Sequence, residues 1–364
     1  MPTILLLLAL TAPAADTTAP NAAAPTTPAA AIAAADPGAP SPAVTPEQVA
    51  TAIDHGLVYL RDESKRWIDA HKCASCHHAP MMVWAYGEAK RRGYKIDEEA
   101  LTWALDYTLA EDNRAGLFAK ETMNPEFGKL SVATVFMASA LRSIELTKPE
   151  HVAGADRLWK HLKEVQEPDG SWPASIAGRF PIFERGEIAT LLVALAATQP
   201  VAPADAESAP AKLRAALLAP ARKYLAANER NQTHQSLAMR LMVMANIDPT
   251  SEGSTRLAAE LIALQQPNGG WTQIKEMAPD ALATGQSLYA LSFVPNADRG
   301  SIARGQAFLV ARQAPAGSWP MESRPTEPGL YSKNLDPITC AAAGWATLGL
   351  VSTNPAFKDL AHKE

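Results

Sequence analysis

Residues 265–271 read Gln-Gln-Pro-Asn-Gly-Gly-Trp, and the same pattern returns as QEPDGSW at 166–172 and QAPAGSW at 313–319. In each copy the Gln (Gln166, Gln265, Gln313) stands six positions before the Trp (Trp172, Trp271, Trp319), and a Gly stands two before it. An amphipathic segment precedes each copy (158–165, 257–264, 302–310) and a more apolar one follows (188–197, 282–293, 339–351). The pattern predicts helix, Gly-containing turn, helix, with the Trp wedged between neighbouring pairs and the Gln tying up backbone groups that helix ends leave open.

Trp271 and Trp319 lie one repeat apart, whereas Trp172 and Trp271 lie about twice that distance apart, so a degenerate copy belongs in the gap. Residues 212–227 followed by 233–245 fill it, and 49–67 with 80–92 and 99–109 with 131–144 add two upstream pairs, six in all. Such a pair exposes an apolar face that only a neighbour covers, and a closed ring covers every face without end caps. The expected fold is therefore all-α, an α-α toroid over residues 46–358, opening at Thr45-Pro46-Glu47 with an N-cap and a Pro at the first helical position. By this register the inner helices start near His77, Ser131, Glu187, His234, Asp280 and Asp336, which predicts a polar ring at one mouth. Arg91-Arg92-Gly93 reads as ordinary helix-ending chemistry.

The Q-x-x-x-G-[SG]-W repeats resemble the QW motifs of squalene-hopene cyclases and their prenyltransferase relatives, which form α-α toroids. Class II cyclases in that group carry a D-x-D-D acid at the start of an inner helix, because protonating an alkene needs a carboxylic acid held by carboxylate neighbours. The matching stretch here, 277–286, has the single acid Asp280, and aromatic residues are only 6% of the chain, little for lining a carbocation cavity. Protein prenyltransferases imply a zinc ion held by Asp, Cys and His. Asp336 and Cys340 stand at i and i+4, but no late His matches, and Cys340 beside Ala341–Ala343 reads first as a small core residue.

The motif pointing most directly to a cofactor is Cys73-Ala-Ser-Cys76-His77-His78. C-x-x-C-H is the attachment pattern of c-type haem, in which two thiols one helical turn apart bond the porphyrin and the His, here His77, is the proximal iron ligand. Met81 and Met82 share its helix and are poorly placed as distal ligands; His234, from across the ring, is the candidate, with an open sixth position as the alternative. Two further readings stay open: a disulfide between Cys73 and Cys76, and a metal without porphyrin held by these thiols with His77 and His78. A thioredoxin-type context is absent, and consecutive histidines are awkward as two corners of a tetrahedron.

The net charge of −5 and the lack of long Lys/Arg runs exclude nucleic acid as a partner. Residues 4–10 are almost wholly apolar and lead to Ala12-Pro13-Ala14, the pattern of a secretory signal (1–14) too short to anchor in a bilayer, although no Lys or Arg precedes it. An Ala/Pro/Thr-rich tether, 15–44, follows. Export to the periplasm or beyond suits covalent haem and disulfides alike. The leading expectation is an exported toroid carrying haem c in a redox or electron-transfer role, with a redox partner protein and room for an apolar small molecule. The alternatives are a terpenoid cyclase-like or other lyase using Asp280, Glu187 and His234 as acids and bases, or a non-catalytic envelope scaffold with a Cys73–Cys76 disulfide.

Overall fold

The computed structural model describes residues 39–73, 77–117, 130–172, 181–182, 184, 187–199, 205–228, 233–322, 324 and 335–355. The expected secretory signal (1–14), most of the expected Ala/Pro/Thr-rich tether and Cys76 lie outside them. The described chain forms α1 (Pro46–His71), α2 (His78–Arg91), α3 (Glu98–Thr108), α4 (Val132–Leu141), α5 (Pro149–Glu164), α6 (Ile188–Ala197), α7 (Ala209–Ala227), α8 (His234–Ile247), α9 (Glu252–Ala263), α10 (Ala281–Leu291), α11 (Arg299–Arg312) and α12 (Asp336–Thr353).

Odd and even helices differ as their sequences require. α1, α5 and α9 bury one stripe, whereas every residue of α4, α6 and α10 is buried, the mark of a helix with neighbours on all sides. The even helices pack in the order α2, α4, α6, α8, α10, α12 and back to α2, so six inner helices close a ring and six outer ones surround it. The chain is an α-α toroid. Thr45 opens it with a reciprocal capping box to Gln48. Ser131, Thr233 and Asp280 cap inner helices by accepting from backbone N–H groups three residues on. No described helix is long and apolar enough to cross a membrane.

The three sequence repeats are one structural joint used three times. Trp172, Trp271 and Trp319 donate their indole N–H to Leu162, Leu261 and Leu309 O at 2.8, 2.7 and 2.8 Å. Each Gln amide donates twice, once within its own turn and once to the next outer helix: Gln166 to Gly170 and Leu217 O, Gln265 to Gly269 and Ser301 O, Gln313 to Gly317 and Ala52 O. The last of these crosses from the end of α11 to α1 and closes the ring. Gly317 makes the same crossing: its φ is +86°, and a Cβ there would collide with the His55 carbonyl.

One end of the inner bundle is plugged. The Tyr289 hydroxyl on α10 donates to Glu88 Oε1 at 2.9 Å and accepts from Trp84 Nε1 (3.2 Å) and Arg142 (3.3 Å), joining α2, α4 and α10, while Trp84 packs edge-on against Tyr289 and Trp345. Arg142 reaches on to Asn246 of α8. Trp172, Trp271 and Trp319 sit in the turns as the repeats predict, and Trp84 and Trp345 with Tyr289 form an aromatic knot between inner helices. The opposite end, where the inner helices begin, gathers the polar side chains.

Candidate functional site

At the mouth, ring closure brings the start of α2 against the start of α12. His77, His78 and Cys340 are 2%, 0% and 0% exposed, and their donor atoms all lie within 4.8 Å of one another. His77 is the N-cap of α2 with non-helical φ −145° and ψ −17°, so the rotation fixed between successive helical residues does not separate it from His78. The two rings sit 4.7 Å apart. Trp67 of α1 stacks on His78 with centroids 4.4 Å apart. His77 Nε2 lies 2.7 Å from the Pro337 carbonyl oxygen; a carbonyl only accepts, so Nε2 carries the proton and Nδ1 the lone pair.

A charged chain backs this cluster. Glu63 faces His78 Nε2 at 3.4 Å and is gripped by Arg66, which also bonds Asp336 Oδ2 at 2.8 Å. Burial alone would raise the Glu63 carboxyl, but His78 and Arg66 together hold it below the usual range. Burial and the nearby Glu63 carboxylate push the Cys340 thiol well up. Such a thiol stays protonated, so Cys340 is not an activated nucleophile by itself.

Two helices along, Asp280 and His234 carry opposite perturbations. Asp280 caps α10, accepting from Ala283 N and from Gln273 Nε2, both at 2.9 Å, yet burial raises its carboxyl from 3.8 to about 6. Burial lowers His234 from 6.5 to about 4. Its Nε2 lies 2.7 Å from Ser287 Oγ, whose own proton goes to Ala283 O, so Nε2–H donates and Nδ1 is the basic atom. Gln286 lies on α10 between Ser287 and Gly285, which abuts Trp345; it is 0% exposed, and neither atom of its amide has a partner among the described residues. A buried amide of that kind wants a ligand or water.

The other sequence-derived residues separate. Glu187 is locked to Arg240, whose Nε donates to it at 2.7 Å, and to the Ser236 hydroxyl, so both of its oxygens are taken up by neighbours within the fold. His234 reaches Ser287 and not the His77 region. Cys73 is half-buried and has no disulfide partner among the described residues, outside which Cys76 lies. Glu63, Arg66, Gln273 and Gln286 went unnoticed in the sequence: none belongs to a motif, and only the fold aims them at the mouth.

No family model matches the chain. The N-terminal glutamine amidohydrolase of Arabidopsis thaliana is 26% identical over 144 residues, 38% of this chain; the match spans 59% of that protein's length. Among solved structures, a glycosyl hydrolase family 88 protein from Bacteroides vulgatus superposes with TM-score 0.54 (12% identity, covering 85% of this chain and 99% of that one). A polysaccharide lyase gives 0.53 (12%; 85% and 98%), and a type II terpene cyclase from Scytonema in complex with geranylgeranyl dihydroxybenzoate gives 0.52 (13%; 85% and 98%). At such identities these structures establish the shared α-α toroid.

The expectation of a redox or electron-transfer function is overturned. The chain's likenesses are to an amidohydrolase, a lyase, a hydrolase and a cyclase, none of them a haem or electron-transfer protein. His77, the expected proximal ligand, is walled in against α12 with Nε2 on the Pro337 carbonyl, a wall contributed by the far end of the sequence.

Proposed function

We propose that this chain is a toroid enzyme of the hydrolase or lyase kind, working by acid–base chemistry at the polar mouth. The observation that carries the proposal is the opposed perturbation of Asp280 and His234 on neighbouring inner helices. Near pH 5 the carboxyl keeps its proton and the imidazole stays neutral, the pairing a general acid and a general base require. Asp280 is the proton donor, His234 Nδ1 the acceptor, and the Gln286 amide a binding group inside the barrel. The amidohydrolase name of the curated relative and the lyase and hydrolase names among the structural neighbours favour bond cleavage. Cyclisation has less support, since 277–286 offers a single acid. An exported setting, resting on residues 4–14, belongs to the same proposal.

The test is turnover of N-terminal glutaminyl peptides, uronic-acid oligosaccharides and isoprenoids by the full chain. A substrate should be cleaved with a bell-shaped pH profile whose limbs fall at about 4 and about 6, and Asp280→Asn should abolish turnover while the fold persists. Full activity in Asp280→Asn and His234→Gln, or no turnover of any of these substrates, would overturn the proposal.

A further inference from the structure

The acid–base pair leaves unused three buried donors that meet where the ring closes. We propose that His77, His78 and Cys340 bind one zinc ion, which clasps the first inner helix to the last. Two imidazoles and a thiol from α2 and α12 lie within 4.8 Å of one another, all under 3% exposed. Bonds of about 2.0 Å to nitrogen and 2.3 Å to sulfur place tetrahedral donors roughly 3.3–3.6 Å apart, so the trio needs to draw in by about an ångström. That is within side-chain reach.

Both imidazoles have the partners that orient metal-bound histidines. His77 Nε2–H points at the Pro337 carbonyl and His78 Nε2 faces the Glu63 carboxylate, which directs Nδ1 of each ring to the ion. Two nitrogens and one sulfur select a borderline ion such as zinc over magnesium or calcium, which want oxygen. As the ion enters, the Cys340 thiol releases its proton to solvent, leaving a centre of net charge +1. The backing chain of two carboxylates, Glu63 and Asp336, and one guanidinium, Arg66, supplies the matching −1. Three protein donors leave one tetrahedral position for water or substrate. The set differs from an Asp/Cys/His centre, because Asp336 turns outward to Arg66 and both histidines come from the opposite end of the chain. It also answers the objection to consecutive histidines, since His77 lies outside the helix.

The test is the zinc content of the full-length chain purified without chelator, measured by inductively coupled plasma mass spectrometry. One zinc per chain is expected, with loss in Cys340→Ala, a small apolar replacement beside Ala341–Ala343. Removal by a strong chelator should lower the melting temperature by several degrees without unfolding at room temperature, and titration with zinc should restore it with release of one proton per ion. Should the variant misfold, cobalt(II) added to the apo wild type decides: a thiolate-to-cobalt charge-transfer band with tetrahedral visible bands is expected. Substoichiometric metal with no thiolate band overturns the site, and copper in the place of zinc overturns the assignment of the ion. Asp280→Asn should keep its zinc, so failure of the acid–base proposal and failure of this one show up separately.

Discussion

Replacing Asp280 by Asn should make the protein's stability depend on pH in a way the wild type hides. The sign follows from each group. Asp280 binds its proton more tightly folded than unfolded, so the stability it lends is full below its ordinary value of 3.8 and is lost as pH rises through about 6. His234 binds its proton less tightly when folded; its contribution is full above 6.5 and is lost as pH falls through about 4. Each displacement corresponds to at most about 3 kcal/mol, and over the shared window the two run oppositely and nearly cancel. Asn keeps the cap on Ala283 N, and a flip of Gln273, whose Oε1 is buried without a partner, receives the new amide. Removing the carboxyl therefore leaves the histidine term alone. Urea melts followed by tryptophan fluorescence at pH 4, 5, 6 and 7 should show the stability of Asp280→Asn relative to wild type rising by up to about 3 kcal/mol with pH, roughly 6 °C in melting temperature. His234→Gln should show the reverse slope. A difference that is flat with pH, or falls in Asp280→Asn, would refute the assignment of these perturbations to burial.

Three further outcomes test the ring. Gln313→Ala strips a donor from Gly317 and Ala52 carbonyls and should cost about 1–3 kcal/mol by urea melts, matching Gln166→Ala; a markedly smaller cost at Gln313 would mean that the ring is open at α1 and α11. Gly317→Ala forces a side chain into a left-handed backbone and the His55 carbonyl, and should lose about 2–4 kcal/mol in the same assay. Tyr289→Phe keeps the ring packing and deletes the hydroxyl shared by Glu88, Trp84 and Arg142, so a loss of about 2–3 kcal/mol is expected, and near-neutrality would show that the plug is aromatic packing alone.

Residues 166–172, 265–271 and 313–319, read alone, determine that helix pairs repeat and where the inner helices begin. The reason is local: Gly at positive φ, an indole whose donor reaches back ten residues, and segments apolar on one face or on all faces are properties of short stretches of chain. The polar mouth follows from the same register, because helix starts need capping side chains. What Cys73–His78 does is not a local property. As an isolated hexapeptide it has the form of a haem anchor, and only ring closure, which sets residue 340 beside residue 77, shows the imidazoles facing a thiol and a carbonyl from α12. The proton affinities of Asp280 and His234 likewise belong to the tertiary structure, since desolvation by neighbouring helices, absent in the extended chain, moves them apart.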